Sequence, residues 1–222
     1  MELGARLTAV ARITAKGENI ADIGTDHGYI PVWLIKNGKR GRIAASDIGE
    51  GPLMSAKRTA EKEGLENSIE FILADGLCGL DGSFDTFVIA GMGGDTIIHI
   101  LDSAPFSLEK KRLVLQPQTR LDKLLKWLYH SGLAIIDAAL AKEAGRLYTV
   151  FEAGYSGESR DISDAEAYGI YFLKGDPLFA EYKAQLIRKL SASIAGLETG
   201  KETDVDKTSE LKNLLCEVEK CC

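Results

Sequence analysis

Cysteine is scarce in this chain and badly placed for structural work. The four cysteines are Cys78, Cys216, Cys221 and Cys222, three of them crowded at the end. No Cys-x-x-Cys pair faces a pair of histidines, so neither a zinc site nor a disulfide framework is expected. Cys221-Cys222 does not form a prenylation box, which needs its cysteine four places from the end. Reduced thiols in a cytoplasmic protein are the simplest reading. Long apolar runs are missing too: nothing approaches the length of a membrane span. The N-terminal stretch Met1-Glu-Leu-Gly-Ala-Arg-Leu7 lacks the charged-then-apolar order of a secretory leader. Nor is there an excess of positive charge. The net charge is −6, which argues against a broadly basic nucleic-acid binder.

What is present is an ordinary globular composition, 45% hydrophobic and 27% charged over 222 residues. That suffices for one good core with a small appendage. Charge is distributed unevenly. Residues 1–60 carry nine Lys and Arg against six Asp and Glu, whereas residues 161–222 carry eight against twelve. A polyanion is therefore expected to approach the N-terminal half.

Hydrophobic patterning alternates between short apolar runs and amphipathic stretches. Residues 1–15 read as a helix, with Leu3, Leu7, Val10 and Ala11 on one face. Strands are expected at 19–24, 41–47, 68–74, 84–90 and 112–116, the last stopped by Pro117. Helices are expected at 31–36, 52–63, 95–101 and 121–130, with Pro31 and Pro52 in first turns and Gly64 after the second of these. Residues 133–140 and 146–153 read as a terminal strand pair. This alternation implies a mostly parallel sheet covered on both faces. A polar stretch, Tyr155 to Arg160, reads as a linker. Beyond it, 178–198 and a segment marked by Leu211, Leu214, Leu215 and Val218 read as two helices around a Gly/Thr/Asp-rich break at 199–206. The expected fold class is α/β, a Rossmann-like sheet in domain 1–155. A coiled-coil-like helical hairpin is expected in domain 161–222.

The chemistry concentrates at the ends of the expected strands. Asp22-Ile-Gly-Thr-Asp-His-Gly-Tyr-Ile-Pro31 lies between the first strand and the first covering helix, where open α/β sheets bind nucleotides. Glycines there let backbone approach a ligand, and the helix start offers N–H groups to an anion. It is not a dinucleotide fingerprint, because Asp26 stands where the middle glycine of G-x-G-x-x-G would be. A pyrophosphate would be repelled there. S-adenosylmethionine, with its sulfonium, ammonium and carboxylate, suits both the acidic groups and the N–H donors. Asp47, 25 residues after Asp22, can accept from both ribose hydroxyls at the end of the second strand. Asp75-Gly76 follows the third strand, placed to accept from an adenine amino group. Ile89-Ala-Gly-Met-Gly-Gly-Asp95 follows the fourth, where glycines mean crowded backbone. Taken singly, each has a plain reading: an Asx turn at Asp26, a capping Asp47 or Asp95, a solvated His27. Their common order favours one site above the sheet.

At these residues the sequence resembles the bacterial tRNA (adenine-22-N1)-methyltransferases. The resemblance is carried by Asp22 to Pro31, Gly51-Pro-Leu-Met-Ser-Ala-Lys57, Asp75-Gly-Leu77, Ile89-Ala-Gly-Met-Gly-Gly94 and Leu115-Gln-Pro117. Arg6-Leu7 and Gly145-Arg-Leu-Tyr148 fit as well, so the likeness spans about residues 3–153. Departures are Thr25 and Gly28, where the family usually has Ser and Ala, and Gln118, where it commonly has Asn. The resemblance implies S-adenosylmethionine as cofactor and N1 of an adenine in the D-arm region of tRNA as acceptor. It implies cofactor contacts from Asp22, Gly24, Thr25, His27, Gly28, Asp47, Ile48, Asp75, Gly76, Ala90, Gly91, Met92 and Gly93. Asp26 is the expected catalytic carboxylate. Arg6, Arg12, Lys16, Tyr29 and Pro31 are the expected substrate contacts, with Lys183, Arg188 and Lys189 as a local basic set on the hairpin. No metal is expected, and a monomer is. A paired adenine N1 must be turned out of its stack to react. The lack of an Asn/Asp-Pro-Pro-Tyr-like motif after the fourth strand speaks against exocyclic-amine methylation. Two other classes stay open at this point: a methyltransferase for a small metabolite, and a non-catalytic tRNA- or nucleotide-binding protein.

Overall fold

The computed structural model describes residues 1–199 and 205–221. Most of the expected break at 199–206, and Cys222, lie outside these residues. The first half builds five strands. They are β1 (Ile20–Ile23), β2 (Ile43–Asp47), β3 (Glu70–Leu73), β4 (Thr86–Gly93) and β5 (Arg112–Thr119), and every pairing among them is parallel. A hairpin of β6 (Leu133–Glu143) and β7 (Arg146–Tyr155) completes the sheet, with β7 antiparallel to both β5 and β6. The strand order is β3-β2-β1-β4-β5-β7-β6. Chain progression reverses between β1 and β4. That is where an open α/β sheet leaves a crevice at the carboxyl ends of its strands.

Period-two alternation divides the strand residues between two covered faces. On one face Ile23, Ile89, Leu113 and Phe151 pack against Ile97 of α4 (Gly94–Asp102) and Leu124, Leu125 and Leu128 of α5 (Leu121–His130). On the other, Ile20, Val88, Val114 and Val150 pack against Val10 and Ile13 of α1 (Ala5–Thr14) and Ile30 and Leu34 of α2 (Tyr29–Lys36). On that same face a smaller cluster joins Val32 and Ala45 to Ala60 of α3 (Glu50–Lys62). Each fully buried Leu or Ile of this kind contributes roughly 1.5–3 kcal/mol relative to exposure.

Two strands run further than their sequences suggest. β4 continues through the glycine run to Gly93, and β5 passes through Pro117 to Thr119. Pro117 lacks an N–H, yet it does not end the strand. Pairing of β5 with β7 stops at Leu115, so Pro117 faces β4 alone, opposite Met92 beside a register shift.

After β7 comes α6 (Asp164–Ala167), a single turn started by a reciprocal capping box between Ser163 and Glu166. α7 (Phe179–Thr199) and α8 (Val205–Lys220) form the expected helical pair. Their inward residues Leu186, Leu190, Leu214 and Val218 belong to the same buried cluster as Phe151 and Ala153 of the sheet. Hairpin and sheet therefore share one core. Lys183 of α7 binds α8 by donating to the carbonyls of Glu219 (2.9 Å) and Cys221 (2.5 Å). Among the described residues no helix is long and apolar enough to cross a membrane.

Candidate active site

The loop after β1 folds back across β2, because the amides of Gly24 and Thr25 both donate to the Ser46 carbonyl (2.8 and 3.0 Å). Gly28 caps α2 in the left-handed region, at φ 67°. A Cβ there would lie 3.0 Å from Ala56 Cβ and 3.1 Å from its Cα, so the loop seats directly on α3. Gly24 has φ 71°, and any side chain on it would collide with the Met92 methyl. Asp26 sits between these glycines with φ 30°, a conformation that costs a non-glycine residue on the order of 1–3 kcal/mol. Held backbone strain of this kind is common in ligand-binding loops.

A cavity of about 330 Å³ opens at these strand ends, lined among others by Asp22, Gly24, Asp26, Tyr29, Met92 and Arg6. Its volume is within the usual range for small-molecule sites. Asp22 is 5% exposed, and its Oδ2 accepts from the Thr25 hydroxyl at 2.8 Å. Burial pushes the Asp22 carboxyl up to about 7; the Thr25 hydrogen bond pulls it down, and the charge of Asp47 raises it further. Among the described residues no cation pairs with Asp22. A cationic ligand would supply what this buried carboxyl lacks. Asp26, in contrast, is exposed at the cavity mouth, with His27 Nε2 3.5 Å from its Oδ2. His27 is held in turn by Ser55 Oγ at 2.8 Å from Nδ1 and by stacking on Tyr29 at 5.2 Å between ring centroids.

Arg6 closes the cavity from the opposite side. Its guanidinium donates to Gln116 Oε1 at 2.9 Å, and Gln118 Nε2 donates to the same oxygen at 3.2 Å. Gln116 is fully buried and its amide nitrogen donates to the Pro117 carbonyl at 2.9 Å, which fixes the oxygen toward Arg6. The Arg6 backbone N–H is tied to Glu143 Oε2 at 3.0 Å. The start of α1 is thus pinned over the tips of β4 and β5.

The structure brings Arg6, Asp22, Gly24, Thr25, Asp26, His27, Tyr29, Ala90, Gly91 and Met92 around one space. Gly28 supports it from beneath. Asp47 stands at the adjacent strand tip, accepting from the Gly49 amide at 2.8 Å, and its charge reaches Asp22. Ile48 is exposed beside it, and Asp75 and Gly76 form the next turn along the same edge. Gly93 caps α4. Pro31 is buried inside α2 and does not line the cavity. Arg12 is exposed and stands outside the cavity. Lys16 lies at the far end of α1, paired with Asp137 at 2.5 Å and with Glu152 at 3.6 Å. Because α1 lies along the strands, Arg6 in its first turn and Lys16 just past its end stand at opposite ends of the strands. Leu7, Ile30 and Gln118 also line the cavity, which their sequence context does not reveal; Leu7 and Ile30 read as core residues from their spacing.

The comparisons with known proteins converge on one family. Residues 3–151 match the family model described as a methyltransferase domain. The chain is 37% identical over 191 residues to the tRNA (adenine(22)-N(1))-methyltransferase of Bacillus subtilis, covering 85% of this chain and 80% of that one. The crystal structure of the B. subtilis m1A22 tRNA methyltransferase matches with a TM-score of 0.79 at 31% identity, over 98% of this chain and 96% of that one. A Streptococcus pneumoniae protein crystallised with S-adenosyl-L-methionine matches with a TM-score of 0.80 at 28% identity, over 96% and 100% of the two chains. With a methyltransferase sheet, a strand-tip cavity and this relative over most of its length, the chain belongs to the tRNA (adenine-22-N1)-methyltransferase family.

Proposed function

We propose that this protein transfers the methyl group of S-adenosylmethionine to N1 of adenine 22 in tRNA. The observation that carries the reading is the pairing of a buried, cation-seeking Asp22 inside the cavity with an exposed carboxylate, Asp26, at its mouth. The residues present fit the cofactor. Asp22 would meet its cationic part, and Asp47 would accept from the ribose hydroxyls. Asp75 at the third strand tip would accept from the adenine amino group. Arg6, turned inward by Gln116, is placed to meet the cofactor's carboxylate rather than an RNA phosphate. Bound there, S-adenosylmethionine supplies an electrophilic methyl carbon on a sulfonium.

The protein's remaining work is positioning and charge. Adenine N1 attacks with an in-plane lone pair, so no base is needed first; one N–C bond forms as one C–S bond breaks. Positive charge moves from sulfur to the adenine ring. The Asp26 carboxylate, oriented by His27, faces that developing charge and can take a proton from the exocyclic amine. Tyr29, 38% exposed and stacked on His27, offers a ring face to an adenine turned out of its stack. We assign cofactor binding and chemistry to residues 1–155 and RNA contact to that domain together with the hairpin of residues 161–222, in a monomer acting in the cytoplasm.

The test is direct. The purified chain, methyl-labelled cofactor and unmodified tRNA transcript are incubated, and the labelled nucleosides are mapped. Label at N1 of adenine 22 is expected. Label on free adenosine or a small metabolite, and none in tRNA, would replace this reading with that of a small-molecule methyltransferase.

A further inference from the structure

A second concavity, of about 670 Å³, lies beside the cavity, between the end of β5, the start of β7 and the inner side of α7. Its cations are Arg120, Arg146, Arg188 and Lys189, drawn from segments far apart in sequence. Among the described residues, Asp122 is the one carboxylate lining it. None of the four cations forms an ion pair with a described residue. Several surface cations elsewhere are matched: Lys16, Lys36, Arg42, Lys123, Lys126, Lys142 and Lys212 each have a carboxylate within 4 Å. Lys183, near the groove on α7, is consumed in capping α8. In a chain of net charge −6, four unmatched cations in one groove are a local reversal of sign.

The groove is continuous with the cavity. Gln118 lines both. The Tyr148 ring lies at their junction, with the Arg6 guanidinium 5.8 Å from its centroid and the Arg146 guanidinium 5.7 Å away. One of these arginines belongs to the cavity and the other to the groove. A chain leaving the cavity mouth past Tyr148 therefore enters a groove lined by Arg146, Arg120, Arg188 and Lys189.

We propose that this groove holds the sugar–phosphate strand of the RNA next to the methylated adenosine, with Arg120, Arg146, Arg188 and Lys189 as its phosphate contacts. This rests on the tRNA reading of the cavity. A polyanion entering the groove releases the counterions gathered by four crowded cations, which drives binding without reading sequence. The hairpin thus contributes through a locally basic wall although its net charge is negative.

The experiment measures binding of unmodified tRNA transcript to the full chain by fluorescence anisotropy over a range of salt. Removing one cation that meets a phosphate should lower the slope of log K against log salt by roughly 0.7–0.9. For the triple variant Arg146→Ala, Arg188→Ala, Lys189→Ala, a slope smaller by about 2–3 and a roughly 10- to 100-fold weaker Kd at about 0.15 M salt are expected. Affinity for S-adenosylhomocysteine, measured by calorimetry, should match wild type, which also certifies the fold. Should the triple variant fold poorly, the single exposed change Arg188→Glu carries the test, with at least a several-fold weaker Kd expected; Arg188→Lys should retain most of the affinity. If wild type methylates tRNA and the variants bind it with unaltered slope and Kd, the groove assignment is overturned and the proposed function stands. If wild type binds cofactor but neither binds nor methylates tRNA, the tRNA reading fails and the groove assignment falls with it.

Discussion

Replacing Asp22 with Asn removes a buried charge while keeping the side chain's shape and an oxygen to accept from the Thr25 hydroxyl. The folded carboxyl titrates at about 7, whereas a free aspartate titrates near 3.9. About three units at 1.4 kcal/mol each give on the order of 4 kcal/mol as the full cost of ionising this group in the fold. The sign follows from proton binding. Below about pH 4 both folded and unfolded Asp22 hold their proton, and nothing is lost. Between about 4 and 7 the unfolded chain has released the proton and the folded one has not, so stability falls as pH rises. Above 7 both are ionised and the cost is complete. Asn has no such dependence. Urea unfolding of the ligand-free proteins at pH 5 and pH 8 should therefore show the Asn variant gaining roughly 3 kcal/mol on wild type across that interval. Comparing the two proteins cancels every other titrating group. Cofactor binding should move the other way. At pH 8 the variant should bind S-adenosylhomocysteine, whose ammonium loses its counter-charge, more weakly than wild type, and wild-type affinity should decline as pH falls through 7. Parallel stability curves for the two proteins would show that Asp22 ionises as an ordinary carboxylate, and would remove the cation-seeking group on which the cavity's assignment depends.

Asp47→Ala should weaken S-adenosylmethionine binding by about 1.5–3 kcal/mol through loss of charged hydrogen bonds to the ribose, and calorimetry with unchanged affinity would remove that assignment. Asp26→Asn should leave cofactor affinity near wild type while the single-turnover methylation rate falls by roughly two to four powers of ten. A rate restored by saturating cofactor would instead give Asp26 the cofactor's ammonium to hold. Gly28→Ala should destabilise the protein by about 1–3 kcal/mol, since the residue is left-handed and its Cβ would press on Ala56; thermal unfolding at wild-type temperature would contradict that packing.

Much of this molecule is written locally in its sequence. The apolar runs at 43–45 and 87–89 read as strands covered on both faces, and the glycines and aspartates near the strands' carboxyl ends read as a ligand edge. Asp22, Asp26 and Asp47 stand out in the sequence because each lies at or just past the carboxyl end of one strand, and neighbouring strand ends are neighbours in space. Local signals also misplace boundaries. Pro117 reads as a stop, yet β5 passes it because β7 has already parted from it. The glycine run reads as a loop, yet it prolongs β4. Ser163-x-x-Glu166 is a local signal for the single turn α6, which the surrounding polar residues mask. Other features have no local trace. Arg6 and Lys16 carry one charge and stand at the two ends of one short helix, but only the packing of α1 against the strands decides that Arg6 enters the cavity and Lys16 meets Asp137, 121 residues away, at the other end of the strands. The polar linker near 155–160 suggests two bodies, but hydrophobic periodicity tells which side of α7 is buried and not what buries it; here α8 does, within a cluster shared with the sheet. The basic groove likewise gathers Arg120, Arg146, Arg188 and Lys189 from three separated segments. Periodicity and turn chemistry act over a few residues and fix elements, turns and the residues at their ends. Ion pairing and the covering of faces act between elements, and those the tertiary structure alone decides.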